Sequence, residues 1–292
     1  MAAPSSASTP WLPKLVVAPS FVLAFFFIYG LIAWNGYLSV SASRLLPNYD
    51  FVGLRQYGLL LESDRFHVAL TNMAIFGSLF IAGSMGIGLL LAILLDQKIR
   101  AEGVLRTVYL YPMAISFIVT GTAWKWILNP GLGLEHLMRQ WGFADFTFGW
   151  LIDPDKAIYC IALAGVWQSA GFVMALFLAG LRGIDDSIIK AAQVDGASLP
   201  RIYLRIIIPS LRPVFFSTLM VVSHLAIKAF DLVIALTAGG PGYATDLPAT
   251  FMYAMSFSRG QIGLGAASAT VMLAAVAAIV VPYLYSELRT RK

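Results

Sequence analysis

Charged residues, cysteine and histidine are all scarce in this chain of 292 residues. Only 12% of the residues are charged, whereas a soluble domain typically carries about 25%. Cys160 is the single cysteine, which excludes a disulfide within the chain and argues against a cysteine-rich metal site. The three histidines (His67, His136 and His224) are scattered and indicate no metal site. A G-x-x-x-x-G-K-S/T phosphate loop is also missing, so ATP binding of that type is excluded.

Long apolar runs make up most of the chain, of which 59% is hydrophobic. Five runs contain no charged residue, and each is near or above the roughly 18 residues that cross about 30 Å of hydrocarbon. These runs are 15–38, 68–95, 107–124, 157–181 and 261–286. A sixth run at 213–227 is shorter, but 232–236 extends it past Lys228 and Asp231. The pattern predicts an all-α polytopic membrane protein with six transmembrane helices.

The basic residues favour one orientation of these spans. With the N-terminus in the cytoplasm, the inside segments hold twelve Lys and Arg residues and the outside loops hold six. Lys and Arg are in excess on the cytoplasmic side of membrane proteins, so both termini are predicted to face the cytoplasm. The chain is then predicted to consist of a flexible cytoplasmic tail at 1–14, a membrane domain at 15–288 and a cytoplasmic tail at 289–292. The net charge of +5 fits contact with the anionic lipids of the cytoplasmic membrane surface, so it does not indicate a nucleic-acid partner.

The two longer outside loops, 39–67 and 129–156, are rich in aromatic residues. One interpretation is an aromatic belt at the membrane interface. The other is a surface on which a soluble external partner sits.

The longest cytoplasmic segment, 182–212, has the pattern of two short helices joined by a turn. Asp185 or Ser187 can cap the first helix, and Gly196 can end it in the left-handed conformation. Ser198 is a candidate cap for the second helix, and Pro200 suits its first turn. We therefore predict a helix–turn–helix at the membrane surface.

Three motifs resemble the permeases of binding-protein-dependent ABC importers of the carbohydrate-uptake class, over almost the whole chain. The first is Ala191-Ala192-x-x-Asp195-Gly196-Ala197, followed by Ile206-x-Ile208-Pro209. The second is Phe230-Asp231-Leu232-Val233, followed by Gly239-Gly240-Pro241-Gly242. The third is Arg106-Thr107-x-Tyr109-x-Tyr111-Pro112. The chain resembles the maltose-type F and glycerol-phosphate-type A subunits, and most of all the permeases of glucose/mannose importers.

The resemblance implies a multi-pass subunit of the bacterial cytoplasmic membrane, without enzymatic activity or a cofactor of its own. It implies a second permease, two ATPase subunits that hydrolyse ATP, and a periplasmic or extracellular sugar-binding protein. The residues implied in docking on the ATPase are Ala191, Ala192, Asp195, Gly196 and Ala197. The family usually has Glu at the first motif position, where this chain has Lys190. The charge contact made by that Glu must therefore differ here or be lost.

A sugar path needs hydrogen-bonding groups and an aromatic face. The candidates are Gln168, Ser169, Phe172, His224, Lys228 and Asp231. Lys228 and Asp231 are three residues apart, so on a continuous helix they would share one face. That spacing fits either a local ion pair or a polar lining of the path, since charged groups within spans pair or face water. His224 fits either packing between spans or the path.

Two other classes of protein remain as alternatives. A secondary sugar transporter would work alone and would show paired repeats with a coupling-ion site. A membrane-embedded enzyme would need a nucleophile–base pair or a metal set within the spans. Neither pattern is visible in the sequence. The glycines at 239–242 lack a following Lys-Ser/Thr and are interpreted as an outer loop that contacts the binding protein or shapes the outer gate.

Overall fold

The computed structural model describes residues 11–46, 48–97 and 99–290. The predicted tail at 1–14 falls mostly outside these residues, as do the last two residues of the predicted C-terminal tail. The described residues form helices joined by loops, with one isolated antiparallel bridge between Ser41 and Phe51. The helices are α1 (Leu12–Ala24), α2 (Leu31–Ser39), α3 (Arg55–Leu61), α4 (Asp64–Leu95), α5 (Glu102–Ala114), α6 (Phe117–Ile127), α7 (Leu134–Gln140), α8 (Ala157–Leu181), α9 (Asp186–Val194), α10 (Leu199–Ile202), α11 (Ile208–Ser210), α12 (Arg212–Ile227), α13 (Asp231–Leu236), α14 (Pro248–Tyr253) and α15 (Ile262–Thr290).

Short segments of other helical geometry connect some of these helices. Three π-helical segments lie between α1 and α2, between α10 and α11, and after α14. They are Phe25–Gly30, Tyr203–Ile207 and Ala254–Ser258. A 3₁₀ turn, Trp150–Ile152, precedes α8.

Within the described residues, four stretches are long and apolar enough to cross a membrane: Pro13–Ser39, Asp64–Leu95, Ala157–Leu181 and Ile262–Tyr285. Two bent pairs bring the number to six if each pair is one span. In one pair, α5 and α6 meet at 99°, and in the other the α10–α11 segment meets α12 at 65°. The predicted span at 107–124 falls within the first of these pairs, so it is a bent pair of helices and not one straight helix.

Contacts between helix ends show that both bent pairs connect opposite ends of the bundle. The Tyr203 hydroxyl donates to Asp96 at the end of α4, over 3.0 Å. Tyr203 lies in the segment after α8, so α8 and α4 end on the same side of the bundle. The α5–α6 pair must therefore run back to the side on which α8 begins. On the other side, the Gly263 amide at the start of α15 donates to the Ser43 carbonyl after α2. The segment from α12 to α13 therefore also runs from one side to the other.

Local chemistry explains the break between α5 and α6. Pro112 lies inside α5 and cannot donate a helical hydrogen bond. Ile115 then takes an extended conformation, with ψ of 140°. Ser116 caps α6 by accepting a hydrogen bond from the Val119 amide. The predicted span contains both signals, but its continuous apolar character favoured one helix.

The predicted extension of the sixth run past Lys228 is also broken. α12 ends at Ile227 and α13 begins at Asp231. Phe230 between them has φ of −130° and ψ of −59°, which is outside helical geometry. Lys228 and Asp231 are therefore not on one face of a continuous helix, and that prediction is wrong.

α4 and α8 form the centre of the molecule, and small residues let them approach closely. A Cβ atom at Gly83 would lie 2.8 Å from a Val166 methyl, and one at Gly88 would lie 2.5 Å from a Val173 methyl. Bulkier residues at these two glycines would force the helices apart. In the most apolar stretch of α8, 72% of the residues are buried within the chain. In the most apolar stretch of the first span, none of the residues is buried.

Aromatic side chains of the predicted outside loops pack beside the spans. Tyr49 lies 5.7 Å from Trp34 at the end of the first span, measured between ring centroids. Phe148 stacks on Trp150 at 5.4 Å, just before α8. This placement suits the interface belt and leaves the alternative of a partner surface open.

Candidate functional site: the coupling loop and the path between broken helices

The segment 182–212, called the coupling loop below, begins with a capped helix. The Asp185 carboxylate accepts a hydrogen bond from the Ser187 amide at 2.8 Å, and it caps α9 as predicted. Hydrogen bonds from the Ser187 amide and hydroxyl hold the pKa of Asp185 below its usual value. The cap is thus ionised over the whole physiological pH range.

Gly196 makes the turn between α9 and α10. Its φ of +77° lies in the left-handed region that the sequence predicted for it. The Ala197 amide donates back to the Ala192 carbonyl at 3.0 Å and closes the end of α9. Ser198 occupies the predicted N-cap position of α10, but its hydroxyl makes no capping hydrogen bond.

The coupling loop has an inner and an outer face. Ala192 is 8% exposed and packs with Ile202 and Ile207 in the core of the chain. Ala197 is partly buried against the same core, whereas Ala191, Asp195, Gly196 and Lys190 are exposed. Ala192 therefore holds the loop to the bundle, and the exposed members of the predicted docking set remain available to a partner.

Exposed apolar side chains on the coupling loop were not among the predicted docking residues. Val194 is 88% exposed and Leu204 is 68% exposed. Ile188 and Leu199 are about half exposed. The sequence prediction rested on the motif alone and did not select these apolar side chains.

Two polar contacts tie the coupling loop to the spans. The Tyr203 hydroxyl donates to Asp96 Oδ2 at 3.0 Å and accepts from Gln97 Nε2 at 2.7 Å, both at the end of α4. At the other end of the loop, Arg182 pairs with Glu102 at 2.6 Å. Glu102 also pairs with Arg106 at 2.5 Å, within α5. The loop is thereby bonded to the end of α4 and to the start of α5.

A cleft of about 50 Å³ lies where α12 breaks into α13. Lys228 and Asp231 line it, together with the rings of Phe76, Phe80 and Phe117. Phe76 and Phe80 are stacked, with centroids 5.4 Å apart. Among the described residues, no ion pair within 4.0 Å joins Lys228 to Asp231. The cleft therefore combines an aromatic wall with a cation and a carboxylate that do not neutralise each other directly.

Gln168 connects α8 to the other helix break. Its Nε2 donates to the Ile115 carbonyl between α5 and α6, at 2.7 Å. Its Oε1 is buried without a hydrogen-bond partner in the described part of the chain. One turn earlier on α8, a Cβ atom at Gly165 would lie 3.0 Å from the Phe80 ring. Gln168 is thus within about one helical turn of the phenyl-lined cleft.

The remaining predicted path residues are dispersed. Ser169 is 4% exposed, and Phe172 is partly buried against the main core. His224 is exposed and lies in the last turn of α12, without lining the cleft. The structure thus brings together Lys228 and Asp231, places Gln168 nearby and leaves His224 apart.

The loop after α13 is fixed to the start of α4. Asp246 is 2% exposed and pairs with Arg65 at 2.5 Å. Asn72 donates to the Asp246 carbonyl at 3.0 Å, and Thr250 donates to the Asp246 carboxylate at 3.0 Å. The Arg65 guanidinium lies 4.1 Å from the centre of the Tyr243 ring. The glycines at 239–242 therefore belong to an ordered loop at the end of the bundle opposite the coupling loop.

A family model described as "Binding-protein-dependent transport system inner membrane component" matches residues 84–291. The chain belongs to this family. The match includes the coupling loop and both helix breaks, and it identifies the chain as a membrane component of a transport system. The resemblance found in the motifs is thereby confirmed at the level of the family.

Two relatives cover nearly the whole permease. It is 40% identical over 281 residues to a probable ABC transporter permease protein of Pyrococcus horikoshii, covering 95% of this chain and 96% of the relative. It is 38% identical over 271 residues to the xylose/arabinose import permease protein of Haloferax volcanii, covering 91% of this chain and 85% of the relative.

The permease also shares its fold with a subunit of a bacterial alginate ABC transporter, solved in complex with an alginate pentasaccharide-bound periplasmic protein. The TM-score is 0.83 with 20% sequence identity, and 97% of this chain and 96% of that chain are covered. The predicted all-α fold of an ABC-importer permease is confirmed.

Proposed function

We propose that this permease is one of two membrane subunits of a sugar importer driven by ATP hydrolysis in separate ATPase subunits. The observation that carries the proposal is the coupling loop, which exposes several apolar side chains and is bonded to the end of α4 and the start of α5. Such a loop suits a chain whose energy comes from a partner. We assign the loop, and with it both termini, to the cytoplasm on the distribution of Lys and Arg.

In this mechanism, closure of the ATPases pushes the coupling loop against the bundle. Val194, Leu199 and Leu204, with Ala191 and Gly196, form the docking face. Tyr203 transmits the displacement to Asp96 on α4, and Arg182 transmits it to Glu102 on α5. Because α5–α6 and α12–α13 are broken, their halves can move separately and open the path alternately to either side.

We further propose that the sugar passes the break between α12 and α13, where the cleft of about 50 Å³ widens as the helix halves move apart. The phenyl rings offer an apolar face to a pyranose ring, while Lys228 and Asp231 offer a donor and an acceptor to its hydroxyl groups. Glucose or mannose is the proposed substrate, on the resemblance of the motifs. A pentose is the second candidate, because the relative from Haloferax volcanii is a xylose/arabinose import permease. An external binding protein delivers the sugar, as the complex of the alginate transporter with its periplasmic protein suggests.

Uptake of labelled sugar in cells that express the complete set of subunits tests the coupling role. At a φ of +77°, valine is strained, whereas asparagine tolerates the left-handed region. We expect Gly196→Val to abolish uptake while the complex still reaches the membrane, and Gly196→Asn to retain most of it. Equal uptake by both variants would contradict the docking role of this turn, and uptake by the chain alone would establish a secondary transporter.

Competition for uptake tests the substrate separately. Unlabelled glucose, mannose, xylose, arabinose and glycerol 3-phosphate are each added in excess to cells that take up labelled glucose. We expect glucose and mannose to compete. If the complete importer takes up a labelled pentose but no labelled glucose, the proposed substrate is wrong and the coupling mechanism is unaffected.

A further inference from the structure

A pocket of about 340 Å³ lies at the end of the bundle opposite the coupling loop. Its walls come from the loop after α2, from α3, from the start of α4 and from the segment between α14 and α15. Each of these four elements supplies one arginine to the lining: Arg44, Arg55, Arg65 and Arg259. The fold therefore concentrates positive charge that is dispersed in the sequence.

Among the described residues, one of the four arginines forms an ion pair. Arg65 pairs with the buried Asp246. In the residues that the structure describes, no carboxylate forms an ion pair within 4.0 Å of Arg44, Arg55 or Arg259. The acidic residues of the same segments are absent from the lining: Asp50, Glu62 and Asp64. Three arginines without an ion pair thus line one cavity, and an anion bound there would be attracted by all three.

An apolar groove of about 380 Å³ adjoins this pocket. Arg44 and Gln261 line the pocket, and the residues that follow them in the sequence, Leu45 and Ile262, line the groove. The groove is also lined by Ala269, which lies eight residues beyond Gln261. At 1.5 Å per helical residue, the groove reaches about 12 Å along α15 into the depth of the bilayer.

The groove is open to its surroundings. Leu45 and Phe257 line it and are nevertheless 74% and 70% exposed. A cationic pocket at the end of the spans and an open apolar groove below it match the two parts of one amphiphile. A free anion or an acidic side chain of a protein would occupy the pocket but leave the groove unused.

We propose that the two cavities bind an anionic phospholipid. The headgroup phosphate lies among Arg44, Arg55 and Arg259, because guanidinium groups match phosphate oxygens in bidentate geometry. An acyl chain lies along α15, between Leu38 and Ala266. This lipid site is separate from the sugar path and does not depend on which sugar is carried.

Lipid binding to the purified full-length permease tests the proposal. The protein is delipidated in detergent and titrated with phosphatidylglycerol or phosphatidylcholine of the same chain length, and bound lipid is counted by native mass spectrometry. The double variant Arg44→Gln/Arg55→Gln removes two exposed pocket charges. The control variant Arg139→Gln/Lys156→Gln removes two charges from the same end of the bundle, outside the pocket.

We expect the wild type and the control variant to prefer phosphatidylglycerol. The pocket variant should lose roughly fivefold in that preference for each arginine removed, following the contribution of one basic residue near an anionic membrane surface. Equal binding of the two lipids by the wild type would overturn the proposal and favour an acidic group of a protein partner in the pocket. Displacement of phosphatidylglycerol by millimolar inorganic phosphate would also overturn it, since the site would then recognise a free anion.

Discussion

Lys228 and Asp231 are charged side chains at the break of a membrane-spanning segment. Ionisable groups at such depth are costly unless they pair with each other or face water. The structure brings both to one cleft without joining them in an ion pair. Their exposure to the cleft therefore favours a hydrated path, and a purely structural role for the pair loses its main support.

Asp231→Asn separates a path role from a structural one. A structural ion pair would lose stability when the carboxylate is neutralised. A carboxylate that accepts a sugar hydroxyl would lose about 1.5–3 kcal/mol of interaction, or roughly ten- to a hundredfold in the KM for transport. We expect the KM of sugar uptake to rise, while the melting temperature of the purified protein stays the same.

Asp155→Asn is the matched control for this experiment, because Asp155 is exposed in the loop before α8. It should change neither quantity. If Asp231→Asn lowered the melting temperature and left the KM unchanged, the carboxylate would be structural.

At the residue scale, the sequence could identify side chains by their chemistry but could not pair them. Lys228, Asp231 and Gln168 were predicted because polar groups are rare in apolar runs. The bond from Gln168 to the Ile115 carbonyl depends on a helix break 53 positions away, which no local pattern encodes. The shared helix face of Lys228 and Asp231 was wrong because it assumed a continuous helix.

Among the elements, the coupling loop is held by its two polar contacts and by Ala192, Ile202 and Ile207 in the core. The apolar contacts position the loop, whereas the polar contacts link it to specific helices. Weakening a polar contact should therefore impair coupling before it impairs folding.

Tyr203→Phe removes only the hydroxyl that joins the loop to Asp96 and Gln97 at the end of α4. Each such hydrogen bond contributes on the order of 1 kcal/mol. We expect a two- to tenfold fall in sugar transported per ATP hydrolysed, measured in proteoliposomes that contain the complete importer, with ATP hydrolysis largely retained. Tyr159→Phe, which removes an exposed hydroxyl near the start of α8, should leave the ratio unchanged. An unchanged ratio in Tyr203→Phe would exclude transmission through this contact.

Elements with local signals were predicted well, and elements defined by distant contacts were not. The observed α8 coincides with the predicted run at 157–181 because its ends are polar and its interior is apolar. The cap at Asp185 and the turn at Gly196 follow from the chemistry of single residues. The contact from Arg182 to Glu102 spans 80 positions, so the sequence alone could not place the loop against α5.

For the whole molecule, the sole cysteine provides a way to test the orientation. Cys160 is 1% exposed, so Cys160→Ala should give a background without reactive thiols at little structural cost. Val194 on the coupling loop is 88% exposed, and Leu132 in the loop after α6 is 80% exposed. The contacts between helix ends place these two positions at opposite ends of the bundle.

In the Cys160→Ala background, we expect Leu132→Cys to react with a membrane-impermeant maleimide in intact cells. Val194→Cys should react only after the cells are opened, in cells that express the permease without the ATPase that would cover this position. This pattern requires α5–α6 to cross the membrane as one bent span and the coupling loop to face the cytoplasm. The reverse pattern would invert the orientation and exclude docking of a cytoplasmic ATPase on the loop. Reaction of both positions in intact cells would place them on the same side of the membrane, and the 99° bend between α5 and α6 would then mark a re-entrant loop rather than a span.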